Sequence, residues 1–313
     1  MKATATKDLL SIADLDAGEV SLLLDLALSM KRGGSEPRLA GKVLGMLFEK
    51  PSLRTRVSFE VAMYQLGGHA LSLNQSEVGL GKREAVSDVA QVLSRLVQGI
   101  MVRTFAQDTV QELAKHATVP VINGLTDHEH PCQALSDLLT VYERRGQVKG
   151  LSLAYVGDAN NVARSLMFAC ALTGMEFRIA APPRYAFPTA DIEHARELAG
   201  VARAGIMLGH DPAAAVRGAD VVYTDVWTSM GQEAEAEVRR RDFQGFQVTP
   251  ALLEIAGPQA IFLHPLPAHY GEEIAPGLLE HPQSAVFDQA ENRLHMQKAV
   301  LVYLMGSGRG IAI

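Results

Sequence analysis

The segment from Ser52 to Arg56 combines an expected helix N-terminus with two arginines, an arrangement suited to binding an anion. Ser52 follows the apolar run 42–48 and stands where a helix N-cap is expected, because helical spacing continues after it until a pair of glycines. The first turn of a helix presents unpaired N–H groups, and Arg54, Arg56 and the Thr55 hydroxyl add further donors. A phosphate or carboxylate fits these groups; the alternative is a capped surface helix with solvated arginines.

A second group of candidate residues opens a later helix. His130 and Gln133 stand one helical turn apart, and Pro131 suits the first helical position. His130 could donate to a carbonyl oxygen while Gln133 holds an amide-like group; the alternative is a capped helix with a solvated histidine. His128, His130 and Cys132 are also zinc-ligand types, but their alternating spacing matches no common ligand pattern, so the sequence argues against a metal site.

Two later segments carry groups suited to a substrate with an amino group. Asp225 precedes a Ser-Met-Gly turn at 229–231, and its carboxylate could hold an amino group or cap a helix. The segment 264–267, His-Pro-Leu-Pro, is rigid and non-helical, so it could aim backbone carbonyls at a ligand or serve only as a rigid loop. Both segments follow short apolar runs, where the ends of strands are expected.

The elements that would position these residues alternate along the chain. Strands are predicted from apolar runs at 43–48, 70–73, 100–103, 119–122, 151–156, 177–180, 221–224, 260–263 and 286–287. Helices are predicted at 16–30, 55–66, 84–97, 109–116, 131–145 and 290–305. This order indicates an α/β fold with two doubly wound parallel-sheet domains and a cleft between them, with the chemistry at the carboxyl ends of the strands. We place the domains at 1–146 and 147–290, with a C-terminal helix, 291–313, that packs back on the first domain.

The βα turn at 156–161 must also be considered as a dinucleotide site. It contains Gly157, Asp158, Asn160 and Asn161 and opens a helix, but it lacks the G-x-G-x-x-G pattern. That absence counts against NAD, and asparagine pairs can equally serve as turn residues.

Composition limits the class of protein. The length of 313 residues favours two domains, and a hydrophobic content of 48% is sufficient for two cores. The net charge of −6 argues against nucleic acid as a partner, so the arginines mark a local pocket. Cys132 and Cys170 are the only cysteines, which fits a reducing compartment. Because no run has membrane-spanning length and the N-terminus lacks a signal-peptide core, we expect a cytoplasmic protein with no membrane partner.

The motifs together resemble the aspartate/ornithine carbamoyltransferase family, in its order and over nearly the whole chain. Residues 52–56 resemble the family's Ser-Thr-Arg-Thr-Arg carbamoyl phosphate loop, and 130–133 match its His-Pro-Cys-Gln. Asp225 with the turn at 229–231 resembles the ornithine-binding loop of one branch, and Arg293 resembles an arginine near the final helix. The resemblance implies transfer of a carbamoyl group from carbamoyl phosphate to the δ-amine of L-ornithine, without metal or organic cofactor. It also implies a homotrimer or a multiple of trimers.

The resemblance assigns two sets of binding residues. Those for carbamoyl phosphate are Ser52, Leu53, Arg54, Thr55, Gly79, Arg103, His130, Gln133, Pro265, Leu266 and Arg293. Those for ornithine are Asn161, Asp225, Ser229 and Met230. The residues with catalytic roles would be Arg54, Arg103, His130 and Asp225.

The chain departs from the family pattern at three of these positions. Pro265 stands where the ornithine branch usually has Cys, and the resulting His-Pro-Leu-Pro is closer to the aspartate branch. Leu53 replaces a Thr, and Gly79 falls where relatives often carry Gln or His; Lys82 is a candidate to substitute for that side chain. The alternatives are therefore another acceptor (aspartate, an N-acylated ornithine or putrescine) and a catalytically weak protein that binds carbamoyl phosphate.

Overall fold

The computed structural model describes residues 7–33, 36–200 and 204–306, which form two compact units. Unit 1 takes its described residues from Met1–Leu139 and Asn292–Ile313, and unit 2 is Thr140–Glu291. The last part of the chain therefore groups with the first, as predicted. The domain ranges predicted from the sequence, 1–146, 147–290 and 291–313, remain a proposal.

Unit 1 is built on a parallel sheet with the strand order β2-β1-β3-β4. Its strands are β1 (Val43–Phe48), β2 (His69–Asn74), β3 (Gly99–Arg103) and β4 (Val121–Leu125). Helices that lie wholly in this unit are α1 (Ala17–Gly33), α2 (Leu53–Gln65), α3 (Gln75–Val78), α4 (Val86–Leu96) and α5 (Gln107–His116). Buried aliphatic side chains of β1, β3, α4 and α5 pack together as one core.

Unit 2 is built on a parallel sheet with the strand order β7-β6-β5-β8-β9. Its strands are β5 (Ser152–Val156), β6 (Glu176–Ala180), β7 (Ile206–Gly209), β8 (Val221–Tyr223) and β9 (Ile261–Leu263). Its helices include α7 (Asn161–Thr173), α8 (Thr189–Ala199), α9 (Pro212–Val216), α10 (Ala236–Asp242) and α11 (Pro250–Ala256). Two further helices, α6 (Pro131–Arg145) and α12 (Val286–Met305), each contribute residues to both units.

The predicted fold class, two doubly wound α/β domains, is confirmed. In each sheet the strand order reverses at one point, between β1 and β3 in unit 1 and between β5 and β8 in unit 2. Ligands of such sheets bind beyond the carboxyl ends of the strands at the reversal. Arg103 ends β3 opposite Phe48 of β1, whereas Asp158 and Asp225 follow β5 and β8. The candidate residues of each unit therefore lie at its reversal point.

Two of the predicted strands are wrong: one is the start of a helix, and the other is a strand that lies further toward the C-terminus. Residues 286–287 begin α12, because Val286 is 1% exposed within the core of unit 2 and the N–H of Gln289 already donates to the carbonyl of Ala285 at 2.8 Å. The local preference of Val and Phe for strands is overridden by this packing. The run predicted at 119–122 is instead β4, shifted toward the C-terminus, because Pro120 has no N–H for the ladder. β7, α3, α8, α9, α10 and α11 were not predicted.

None of the helices in the described ranges has the length and apolar character needed to cross a bilayer.

Candidate active site

The N-terminus of α2 has the capped geometry that the sequence predicts. Ser52 is extended, and its Oγ accepts a hydrogen bond from the N–H of Thr55 at 3.2 Å and lies 3.0 Å from the Thr55 hydroxyl. Arg56 points to the surface, where its Nε donates to Glu60 at 2.9 Å. Arg54 is half-buried. Of the two arginines, only Arg54 therefore remains a candidate for an anion at this helix end.

Two arginines from distant segments complete a cluster of positive charge with Arg54. Arg293 of α12 is 3% exposed, and its Nη2 donates to the Thr55 hydroxyl at 2.8 Å. Arg103 is 8% exposed, and burial lowers the pKa of its guanidinium to about 9, with further lowering from the charges of Arg293 and Arg54. The buried Nε of Arg103 has no hydrogen-bond partner among the described residues. Such a cluster favours an anion, which would relieve the repulsion and pair the open donor.

His130 and Gln133 lie beside this cluster at the start of α6, whose first residue is Pro131 as predicted. His130 is 4% exposed, so the alternative of a solvated histidine is wrong. Burial, with the charges of Arg293, Arg103 and Arg54, lowers the pKa of His130 well below its usual value. His130 is therefore neutral at pH 7, the state in which imidazole carries one N–H and no charge.

Gln133 has one end paired and one end open. Its Nε2 donates to Asp137 at 2.8 Å, while its Oε1 is buried with no hydrogen-bond partner among the described residues. A ligand amide could donate to this oxygen. Cys132 between the two candidates is fully buried, and burial raises the pKa of its thiol to about 12. That high pKa opposes the thiolate form a metal site would need.

The other two assigned positions of unit 1 carry no polar side chain. Leu53, at the start of α2, is 75% exposed. Gly79 follows α3 with a φ of 65°, and a Cβ placed on it would lie 2.6 Å from the Cβ of Arg83. The loop in this conformation therefore excludes the Gln or His that relatives carry at position 79. Lys82 lies in the same loop, where its N–H donates to the Gly79 carbonyl at 2.9 Å.

Unit 2 holds Asp225 in a buried, hydrogen-bonded position directly after β8. The carboxylate is 8% exposed and accepts from Asn160 Nδ2 at 2.9 Å and from the N–H of Val226 at 2.8 Å. Burial raises its pKa, although the nearby His264 and both hydrogen bonds lower it. Asp225 does not cap a helix, because the helical elements that follow it begin after Gln232 and Glu235. Its carboxylate is thus available to a cationic or hydrogen-donating group.

The His-Pro-Leu-Pro segment forms a turn fixed by its own histidine. The Nδ1 of His264 accepts from the N–H of Leu266 at 2.9 Å, so its Nε2 carries the proton and donates to Glu273 at 3.2 Å. Leu266 has a φ of 56°, a left-handed conformation unusual for leucine, and the peptide before Pro267 is cis. Pro265 and Leu266 are both half-buried. The carbonyls of the turn are therefore held in place by a buried His–Glu pair.

The remaining candidates for ornithine lie on helix α7 and on a loop. Asn161 is the first residue of α7, and its Oδ1 accepts from the N–H of Val162 at 3.0 Å. Ser229 and Met230 belong to the loop between β8 and α10, in which the N–H of Ser229 donates to Gln232 Oε1 at 3.0 Å. Met230 is 48% exposed. These side chains share the reversal point of unit 2 with Asp225.

The sequence interpretation missed residues that support the candidates. Asn160 bonds Asp225, Glu273 bonds His264, and Glu129 holds Ser11 Oγ at 2.5 Å directly before His130. The position of Asn160 at a helix N-cap could have indicated the first; the other two depend on contacts between distant segments. Asn123, the residue directly after the predicted run 119–122, lies inside β4, where its Nδ2 donates to the Leu10 carbonyl at 2.8 Å.

Models of two protein domains match the chain over most of its length. Residues 7–143 match the carbamoyl-P binding domain of aspartate/ornithine carbamoyltransferase, and residues 149–304 match the Asp/Orn binding domain of the same enzymes.

Individual proteins are similar over nearly the whole length of the chain. A protein named ornithine carbamoyltransferase from Gloeobacter violaceus is 53% identical over 299 residues, 96% of each chain. A protein from Pyrococcus furiosus named "Ornithine carbamoyltransferase, anabolic" is 50% identical to this chain. The match covers 96% of this chain and 97% of the relative. The solved structure of ornithine carbamoyltransferase from Pyrococcus furiosus superposes with a TM-score of 0.93, covering 97% of this chain and 99% of the other.

Proposed function

The chain belongs to the aspartate/ornithine carbamoyltransferase family, and we propose that it transfers the carbamoyl group of carbamoyl phosphate to the δ-amine of L-ornithine, giving L-citrulline and phosphate. The observation that carries this proposal is the cluster of Arg54, Arg103 and Arg293 at the N-terminus of α2, beside a neutral His130. Positive charge concentrated at a helix N-terminus is an anion site, in a protein whose net charge is −6.

The phosphate would bind at the first turn of α2, with its N–H groups and the hydroxyls of Ser52 and Thr55 as donors. As the amine attacks the carbamoyl carbon, the C–N bond forms and the C–O bond to phosphate breaks, so negative charge accumulates on the leaving oxygen. Arg54 and Arg103 stabilise that charge more strongly in the transition state than in the ground state. Leu53 contributes through its backbone N–H, and Arg293 holds Thr55 in place.

The carbamoyl group would lie against His130 and Gln133. The N–H of the neutral imidazole donates to the carbonyl oxygen as the carbon becomes tetrahedral, and the open Oε1 of Gln133 accepts from the carbamoyl NH₂. By the family resemblance, the carbonyls of Pro265 and Leu266 would be further acceptors for that NH₂ group. No protein nucleophile is required, since the attacking atom belongs to the substrate.

The acceptor would bind to the residues of unit 2. Asp225 orients an amino group, while Asn161, Ser229 and Met230 contact the rest of the amino acid. A free δ-amine has a pKa of about 10.4 and is mostly protonated at neutral pH. Burial and, by the family resemblance, the nearby arginines would favour the neutral, nucleophilic form, which has released one proton to solvent. The proton that the nitrogen sheds once the C–N bond has formed leaves with the phosphate product.

Pro265 is the observation that favours a second candidate, a carbamoyltransferase for another acceptor. The ornithine branch usually carries a thiol there, and this chain has none at that position. The turn itself is held by His264 and Glu273, so its carbonyls keep their places without the thiol.

A competition among acceptors tests both candidates. Carbamoyl phosphate is supplied with ornithine, aspartate, N-acetylornithine or putrescine, and carbamoylated product and phosphate are measured in parallel. We expect stoichiometric citrulline and phosphate from ornithine alone. Preferred turnover of another acceptor would support the second candidate. Tight binding of phosphonoacetamide, a phosphonate analogue of carbamoyl phosphate, without any turnover of carbamoyl phosphate would indicate a binding protein.

We further propose a cytoplasmic homotrimer, or a multiple of trimers, that works without metal or organic cofactor. The oligomeric state rests on the family resemblance and is tested by light scattering of the purified chain. Retention of activity after dialysis against a chelator tests the absence of a metal requirement.

A further inference from the structure

Glu129, the residue directly before His130, carries a buried carboxylate that neither set of substrate residues includes. It is 1% exposed. Its Oε1 accepts from the hydroxyl of Ser11 at 2.5 Å, and its Oε2 accepts from the N–H of Ile12 at 3.1 Å. These donors lie 118 and 117 residues earlier in the chain. Since a buried carboxylate is costly without donors, these bonds hold Glu129 against the N-terminal segment, residues 8–12.

The N-terminal segment is itself fixed along the edge of the unit 1 sheet. The N–H of Leu9 donates to the Val121 carbonyl of β4 at 2.9 Å, and the Leu9 carbonyl accepts from the N–H of Asn123 at 2.8 Å. Leu9 and Ile12 are 1% and 0% exposed, so apolar burial stabilises the same arrangement. The two donors to Glu129 therefore have fixed positions relative to β4.

The Ser11 hydroxyl is oriented by the helical turn that it caps. Its Oγ accepts from the N–H of Ala13 at 3.0 Å, as the N-cap of the single turn Ile12–Asp14. The carboxylate of Asp14 completes this cap, because it accepts from the N–H of Ser11 at 2.9 Å. With one lone pair of Oγ used for Ala13, the hydroxyl hydrogen is directed to Glu129.

The backbone of Glu129 forms a tight turn that leads into α6. Its N–H donates to Thr126 Oγ1 at 3.0 Å, and its carbonyl accepts from the N–H of Thr126 at 2.9 Å. The carbonyl of His130 accepts from the N–H groups of Gln133 and Ala134, at 3.1 and 3.2 Å, and so starts α6. Only one peptide unit, about 3.8 Å between Cα atoms, separates Glu129 from His130. A shift of Glu129 would therefore move the first turn of α6.

We propose that Glu129 is a positioning residue, because its bonds to residues 11–12 tie the start of α6 to the N-terminal segment and thereby place the side chains that would bind the carbamoyl group. Those side chains are His130 and Gln133. The inference rests on the proposed function and concerns the carbamoyl end of the same site. Glu129 acts through the backbone and not by contact with substrate. Its loss is expected to weaken contacts to the carbamoyl group and to spare those to the phosphate.

The test uses two ligands to separate the two halves of carbamoyl phosphate. Phosphonoacetamide carries a phosphonate and a carboxamide, whereas inorganic phosphate has no counterpart of the carbamoyl group. The Kd for phosphate divided by the Kd for phosphonoacetamide therefore measures what the carboxamide contributes to binding. A loss of general stability would leave this Kd ratio unchanged, so the ratio distinguishes positioning from a structural role.

The variants remove the bond between Glu129 and Ser11 from either side. Glu129→Gln replaces one of the two acceptor oxygens by a donor, and Ser11→Ala removes the hydroxyl. Ser11→Thr keeps the hydroxyl and is the conservative rescue. Asp14→Ala is the matched control, because it removes an acceptor from the same helical turn and leaves the donors to Glu129 in place. The Kd ratio, the kcat, the KM for ornithine and the urea unfolding midpoint are measured for each variant.

We expect Glu129→Gln and Ser11→Ala to lower the Kd ratio at least fivefold. The kcat should fall at least tenfold, since a misplacement of about 1 Å costs about 10²-fold in rate. The Kd for phosphate and the KM for ornithine should change less than twofold. Ser11→Thr should keep the Kd ratio of the wild type. Asp14→Ala should keep it too, although its unfolding midpoint falls.

A Kd ratio within twofold of the wild type in Glu129→Gln and Ser11→Ala would overturn the inference; if Glu129→Gln does not fold, Ser11→Ala decides alone. An equal loss in Asp14→Ala would also overturn it, because the effect would then follow from loosening of the helical turn. The wild type is measured first. Absence of citrulline there, with no tighter binding of phosphonoacetamide than of phosphate, contradicts the proposed function itself. A wild type that shows both properties, with unaffected variants, contradicts only the role of Glu129.

Discussion

His130 links the proposed chemistry of the carbamoyl group to the stability of the folded chain. Its pKa is held well below 6.5 by burial and by three nearby guanidinium groups. Below pH 6.5 the unfolded chain therefore binds a proton at this residue that the folded chain does not bind, so folding becomes less favourable as the pH falls. The same effect keeps the imidazole neutral through the physiological range.

We expect His130→Gln to remove this pH dependence. The free energy of unfolding of the wild type, relative to the variant, should fall by up to about 1.4 kcal/mol for each pH unit below about 6.5. Denaturant unfolding of both proteins between pH 5 and 8 measures the difference. Parallel curves for the two proteins would mean that His130 titrates normally in the folded chain.

Glu273 holds the histidine of the His-Pro-Leu-Pro turn. It is fully buried, and its Oε1 accepts from His264 Nε2 at 3.2 Å and from the N–H of His269 at 2.5 Å. Glu273→Leu leaves the buried Nε2–H of His264 without a partner, which costs about 1–3 kcal/mol, and it also removes the acceptor of the His269 N–H. We expect a lower unfolding midpoint and at least a tenfold loss of kcat/KM for ornithine, because the carbonyls of the turn lose their support.

The adjacent Glu272→Leu is the control for this change. Glu272 pairs with Arg240, whose side chain is 53% exposed, and such a surface pair contributes about 0–1 kcal/mol. Its removal should leave kcat/KM for ornithine within twofold of the wild type. Equal losses of kcat/KM in the two variants would show that the segment tolerates no loss of a carboxylate. The effect would then not be specific to Glu273.

At the scale of elements, the N-cap of α2 has both a structural and a chemical role. Ser52→Ala removes the acceptor for the N–H of Thr55, which costs about 1 kcal/mol of stability. The same change removes a hydroxyl from the proposed phosphate site. We therefore expect a lower unfolding midpoint together with at least a fivefold higher Kd for phosphonoacetamide.

Thr249→Ala separates the two roles. Thr249 caps α11 in unit 2, where its Oγ1 accepts from the N–H of Leu252 at 3.2 Å. This variant should lose comparable stability and keep the Kd of the wild type. A phosphonoacetamide Kd that rises equally in both variants would trace the effect to stability and not to the hydroxyl of Ser52.

At the scale of the whole molecule, unit 1 is assembled from both ends of the chain. Its C-terminal part supplies contacts to α1 and α2, since Lys31 donates to Asn292 at 2.9 Å and Lys298 donates to Gln65 at 3.0 Å. It also supplies Arg293 to the proposed phosphate site. Unit 2 is one continuous segment with its own core.

We predict that a chain ending after Glu291 keeps unit 2 folded and loses phosphonoacetamide binding. The chain's only tryptophan, Trp227, is 6% exposed in unit 2 and stacks on Phe243 with ring centres 5.6 Å apart, so its fluorescence reports on that unit. Emission should stay that of a buried indole, with a cooperative urea transition. Emission of a solvated indole before urea is added would mean that unit 2 needs residues 292–313 to fold.

The sequence by itself determined the features that depend on neighbours along the chain. The cap at Ser52, the first helical position of Pro131 and most strands could be predicted because capping, proline geometry and apolar periodicity act over a few residues. The family resemblance depends on such motifs too, which is why the fold class and the domain that would carry each substrate could be stated before the structure.

Only the tertiary structure decided which polar groups meet. Arg103 and Arg293 are far apart in sequence, yet both lie close to Arg54 at the N-terminus of α2; Arg56, inside the motif, turns to solvent. The pairing of Arg239 with Asp158 has no local signal. Helix α12 also starts at Val286, although Val and Phe at 286–287 have a local preference for strands. Sheet register and burial bring distant segments together, and the free energy of packing exceeds the small preferences that a short sequence window expresses.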